Sequence, residues 1–166
     1  MTEGTRRVGS VADDIRQTAP FRSTAQEALI ALLRTANEAR RHLNAAVAPE
    51  GITLQQYNVL RILRGAGPGG LPTLDVSNRM LEREPGVTRI IDRLAGKDLV
   101  ERERCRNDRR RVWCRITDEG RAVLDRLERA VDRADRDVSA DLTPTQLEQV
   151  ITLLDLMRGR LKSSGR

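Results

Sequence analysis

Aromatic residues are almost missing from this chain, which has one phenylalanine (Phe21), one tyrosine (Tyr57) and one tryptophan (Trp113). Proteins that grip single-stranded nucleic acid stack bases on aromatic platforms, so that class is disfavoured. Histidine is nearly as scarce. His42 stands alone, so no Ser-His-Asp or Cys-His catalytic set can be built elsewhere in the chain, and no metal-ligand cluster is visible. The two cysteines, Cys105 and Cys114, are too far apart for a CxxC motif. No apolar run approaches the roughly 20 residues needed to cross a bilayer. The first residues, Met-Thr-Glu-Gly-Thr-Arg-Arg, lack the apolar core of a secretory signal, which predicts a cytoplasmic protein. The glycine-rich stretch Gly65-Ala66-Gly67-Pro68-Gly69-Gly70 is not followed by Gly-Lys-Ser/Thr, so it is a turn and not a nucleotide-phosphate cradle. No cofactor is implied.

What the chain does have is charge, 33% of its residues, with a formal net charge of +6. That excess is concentrated. From Arg102 to Arg115 the sequence carries seven arginines against two acids. Net basicity alone does not choose among DNA, RNA and membrane. The surroundings of this run choose better. Leu99 to Glu103 and Val112 to Ile116 read as two short strands, the second alternating Val112, Cys114 and Ile116 on one face, with Asn107 and Asp108 in the turn between them.

Helical stripes flank this hairpin. Residues 24 to about 47 place Leu29, Leu32, Leu33, Ala36, Leu43 and Val47 at helical spacing, with Thr24 and Glu27 as a capping box. Thr53 with Gln56 opens a second helix carrying Leu54, Tyr57, Leu60 and Leu63. A short helix follows from about 74 to 81, capped by Thr73. Another runs from Pro85, suited to a first helical position, to about Gly96, with Val87, Ile90, Ile91 and Leu94 inward and Thr88, Arg89, Asp92 and Arg93 outward. After the hairpin, Thr117 caps a helix to about 138, and Thr143-Pro144-Thr145-Gln146 opens the last one, to about 161.

This order predicts a mainly α protein. Residues 53–116 form a winged helix-turn-helix lobe with a two-stranded wing; residues 23–48 and 117–162 supply long helices, and residues 1–22 form a flexible arm. The outer helices are too apolar to be solvated all round, so they bury their stripes against a second copy of the chain. A basic hairpin directly after a helix sets arginines beside a helix that enters a DNA major groove. Arginine suits phosphate and minor-groove contact because its guanidinium is always charged and forks toward oxygens.

Several segments resemble the MarR (multiple-antibiotic-resistance regulator) family: residues 54–60 (Leu-Gln-Gln-Tyr-Asn-Val-Leu), 86–94 (Gly-Val-Thr-Arg-Ile-Ile-Asp-Arg-Leu), 97–102, Asp108-Arg109-Arg110, and Ile116-Thr117-Asp118-Glu119-Gly120. The resemblance runs from about 24 to 161. It implies a homodimer, joined through its first and last two helices, that binds pseudo-palindromic duplex DNA. It also implies a repressor that lets go when a small lipophilic or phenolic ligand binds. Glu84-Pro85-Gly86 stands where small hydroxyl residues are frequent in the family, and the arm before Thr24 is longer than in many members.

On this reading Thr88 and Arg89 reach base edges, with an intramolecular salt bridge as the alternative for Arg89. Pro85 and Gly86 allow close backbone approach at a helix N-terminus that favours phosphate. Arg93 is either a phosphate contact or a solvated charge. Arg109, Arg110 and Arg111 occupy the wing tip; Arg110 matches the family's Asp-x-Arg signature and is the one expected in the minor groove. Asp108 pairs with a nearby arginine and stiffens the turn. The ligand pocket is expected among His42, Leu43, Leu54 and Tyr57, with a structural role as the alternative for His42, and Trp113 packs the wing. Two further readings stay open. One is a redox sensor on the same fold using Cys105 and Cys114; the other is a sequence-indifferent architectural DNA binder. The second would need an exposed apolar wedge that is not evident.

Overall fold

The structure is a computed structural model and describes residues 9–82, 86–104 and 111–164. Its elements in order are α1 (Val11–Asp14), α2 (Thr24–Val47), a 3-10 turn (Ala48–Glu50), α3 (Leu54–Gly65), β1 (Leu71–Pro72), α4 (Thr73–Arg79), α5 (Val87–Ala95), β2 (Val100–Arg104), β3 (Val112–Ile116), α6 (Asp118–Val138) and α7 (Pro144–Ser164).

Local chemistry sets most boundaries. The Thr53–Gln56 capping box is closed from both sides. The Thr53 N–H donates to Gln56 Oε1 at 3.0 Å and the Gln56 N–H donates to Thr53 Oγ1 at 3.3 Å. Thr143 and Gln146 repeat the exchange at the start of α7, at 2.8 and 3.3 Å. At α2 the cap lies one residue earlier than the sequence pattern suggests. Ser23, not Thr24, accepts the Gln26 N–H. Both are hydroxyl residues, and the one in extended backbone conformation takes the role.

The core is built where α3, α5, α6 and the sheet converge. Val47, Val59, Leu60, Leu63, Val76, Ile91, Leu94 and Cys114 are fully enclosed. The inward stripe expected on α5 is borne out for Val87, Ile91 and Leu94, with Ile90 half-buried. The chain leaves α5 through Gly96-Lys97-Asp98. Asp98 takes the left-handed conformation (φ 57°), which an aspartate tolerates better than most residues, and the Leu99 N–H closes back on Leu94 O at 3.0 Å.

The two-stranded wing is there as expected, β2 paired with β3, and a third strand that the sequence did not suggest joins it, in an antiparallel sheet of order β1-β3-β2. Leu71 pairs with Cys114 and Pro72 with Trp113. A two-residue edge strand containing proline, which cannot donate to a ladder, gives no sequence signal of its own. Thr73 is corrected with it. The α4 N-cap is Pro72, without a side-chain cap, and the Thr73 hydroxyl instead donates to Val112 O at 3.2 Å, tying α4 to β3. Within residues 9–22 the chain makes one helical turn, α1, whose Ser10 side chain accepts the Asp13 N–H. Among the described residues, no helix is long and apolar enough to cross a membrane.

Candidate nucleic-acid interface

The burial pattern of α5 divides the helix cleanly. Val87, Ile91 and Leu94 are in the core, whereas Thr88, Arg89, Asp92 and Arg93 are exposed. Gly86 is the N-cap, with φ of 117°, a backbone conformation that a residue with a Cβ rarely adopts, and open space surrounds it. Gly86 supplies no side-chain cap, so the N-terminus of α5 lies beside a residue with no side chain to block approach, the arrangement that favours a phosphate. Pro85, expected at the first helical position, lies outside the described residues, and the helix begins at Val87.

Among the described residues Arg89 and Arg93 make no ion pair. The alternative reading of Arg89 as a salt-bridged residue therefore finds no partner there. Both guanidiniums stand on the outer face with their charge available. Arg111 is exposed at the start of β3. A cleft between α4, α5 and the sheet is lined by Thr73, Asp75, Thr88, Arg102 and Arg111, joining the outer face of α5 to the base of the wing. Arg109, Arg110, Asp108 and Cys105 lie outside the described residues.

Two ion pairs escaped the sequence reading. Arg102 on β2 pairs with Asp92 on α5, and Arg115 Nη1 meets Glu103 Oε2 at 2.7 Å across the hairpin. Arg102 is exposed on β2, so no burial calls for a partner, and the pair depends on where that strand lands beside α5.

The four residues expected to line a ligand pocket are not brought together. Tyr57 is buried and its hydroxyl accepts from Arg61 Nη1 at 2.9 Å. Leu54 borders a small cleft of about 30 Å³ with Asn58, Met80 and Leu81. His42 lines a different one, of about 260 Å³, between α2 and α6, with Thr35, Ala39, Asp137 and Val138. There its Nε2 lies 3.6 Å from Asp137 Oδ2. Leu43 is half-buried on α2. Cys114 is fully buried, with its Sγ 3.5 Å from Thr73 Oγ1, which closes it to an oxidant in this conformation.

A helix with an apolar inner face and a basic outer one, set against a basic β-hairpin, defines a winged helix-turn-helix DNA-binding protein. Comparison with known proteins narrows the class. The MarR family profile matches residues 52–112. A MarR transcription factor from Planctomyces limnophilus is 34% identical in its crystal structure, with a TM-score of 0.65 over 82% of this chain and 99% of that one. A mutant of Escherichia coli MarR, crystallised in complex with operator DNA, is 25% identical, with a TM-score of 0.69 over 76% of this chain and 89% of that one. The homoprotocatechuate degradative operon repressor of Escherichia coli is 29% identical over 126 residues, 76% of this chain and 84% of the repressor. The chain belongs to the MarR family, and it is a DNA-binding transcription regulator.

Proposed function

We propose that this protein is a homodimeric repressor that occupies a pseudo-palindromic operator and is released by a small molecule. The observation that carries the reading is the outer face of α5, where Thr88, Arg89 and Arg93 stand exposed beside the wing while the opposite face is locked in the core. Thr88 and Arg89 read base edges in the major groove; an arginine forked onto a guanine contributes about 1–3 kcal/mol of discrimination. Gly86, Pro85 and Arg93 serve phosphates. Arg110, flanked by Arg109 and Arg111 and braced by Asp108, enters the minor groove from the wing tip. A regulator that works on chromosomal DNA in this way acts in the cytoplasm, associated with the bacterial nucleoid, and acts by binding and not as an enzyme.

For the ligand, the His42 cleft is the better candidate. At about 260 Å³ it approaches the size of small-molecule sites, whereas the cleft by Leu54 has room for little more than water. The Escherichia coli relative is named for an operon that degrades homoprotocatechuate, which makes phenolic acids the first compounds to try. Thermal shift against a phenolic panel should give hits that weaken in His42→Ala; hits that stabilise both proteins equally would move the site elsewhere.

The contact assignment separates two variants. Arg89→Ala should cost about 1–3 kcal/mol on the operator and relax preference at one position per half-site. Arg110→Ala should weaken binding to operator and scrambled duplex alike and flatten the salt dependence by about 0.9 unit per phosphate lost. Titration of both variants over several salt concentrations measures this. An intact operator preference in Arg89→Ala, with its loss in Arg110→Ala, would reverse the roles of helix and wing.

A further inference from the structure

Alternation along β2 puts Arg102 on the same face as buried Val100, and the strand register sets it opposite Cys114, which is also buried. Arg102 itself is exposed, at the open margin of that face, and its guanidinium reaches a counter-charge on the neighbouring helix. That counter-charge is Asp92, one helical turn beyond Thr88 on the outer face of α5. Left alone, an acid at that place would face DNA phosphates and repel them, so the pair also removes an unfavourable charge from the reading surface. Among the described residues this is the one ion pair that joins the recognition helix to the wing. The Arg115–Glu103 pair stays within the hairpin, and the Thr73 hydroxyl ties β3 to α4, not to α5.

We propose that Asp92 and Arg102 are positioning residues, forming a strut that fixes the angle of the wing against the recognition helix, and that Arg102 is not a phosphate contact. The proposal rests on the reading that α5 and the wing engage one DNA site together. A strut between them turns two separate contact sets into a single rigid one, so operator discrimination depends on it while total positive charge does not.

Trp113, the sole tryptophan, lies on β3 opposite Glu103 and reports wing mobility without any label or DNA. The experiment compares wild type with Asp92→Asn, Arg102→Gln and the charge-reversed double variant Asp92→Arg with Arg102→Asp. Trp113 anisotropy and iodide quenching are read in the absence of DNA. Salt-dependent titrations then use a duplex that the wild type selects from a random-sequence library and a scrambled duplex of the same composition. Both single variants should loosen Trp113 and lower the preference for the selected duplex about twofold to fivefold, the scale of a part-exposed ion pair. Their salt slopes should match wild type, and the reversed pair should recover rigidity and preference together. The proposal is overturned if Arg102→Gln lowers the salt slope by about 0.9 per half-site while Asp92→Asn leaves Trp113 and the preference at wild-type values. A wild type that selects no sequence would count against the DNA reading, and the Trp113 comparison would still decide the strut.

Discussion

A β-carbon at position 70 would lie 2.3 Å from the Cys114 carbonyl oxygen and 2.6 Å from Cγ of Arg115, at a residue whose φ is +67°. Only glycine meets both conditions, and they are what lets β1 lie against β3. Gly70→Ala should therefore destabilise the protein by at least about 2 kcal/mol, from left-handed strain and overpacking together. Gly69→Ala, with open space and ordinary φ, should be close to neutral. Urea unfolding of the two variants decides it, and equal midpoints would refute the argument. At this scale the sequence was legible wherever the cause was local. The Thr53–Gln56 and Thr143–Gln146 boxes need only residues three apart. Thr73 reads equally well as a cap, and only the arrival of Val112 from 39 positions away claims its hydroxyl. The Asp92–Arg102 pair is similar, because it depends on where β2 lands relative to α5.

Between elements, the 3-10 turn after α2 is held to α6 by Arg126. Its Nε and Nη2 reach the two Glu50 oxygens at 3.1 and 2.9 Å, and Nη2 also meets Glu119 at 3.0 Å. The Arg126 hydrogen bond holds the Glu50 carboxyl below its ordinary value of 4.5, outweighing the opposing effect of burial. A depressed carboxylate stabilises the fold above the unfolded value, and that contribution is lost as pH falls through the folded one. Glu50→Gln should thus be slightly less stable than wild type at neutral pH. The difference should shrink as pH drops below about 4.5 and vanish once Glu50 is protonated in both states. Because the pair is partly exposed, the neutral-pH difference is small and should fall further with added salt. A gap that widened toward pH 3 would contradict this. The long elements were readable because each carries a sustained 3.6-residue stripe, and α5 and α6 end within a few residues of expectation. The two-residue β1 has no period to read.

Across the whole molecule the least satisfied element is α7. Ile151 is 60% exposed and Leu161 73%, with Val150, Leu153, Leu156 and Met157 open as well, while Leu29 and Leu33 stand bare on α2. The outer helices read as too apolar to be solvated all round, and among the described residues nothing covers the stripe on α7. Burying a side chain of this kind contributes about 1.5–3 kcal/mol, so a surface of this extent favours a second copy strongly. Ile151→Asp places a charge on that face at a residue the protomer does not need for its own core. The variant should remain helical and cooperative in thermal unfolding, yet sediment as a monomer at concentrations where the wild type is a dimer. It should also bind the operator far more weakly, because two half-site contacts no longer share one molecule and the avidity factor, commonly 10² or more, disappears. Binding to an isolated half-site should change little. Sedimentation velocity at micromolar protein, run with gel shifts on full and half operators, tests both parts. A wild type that sediments as a monomer, or an Ile151→Asp variant that keeps full operator affinity, would remove the dimer from the mechanism.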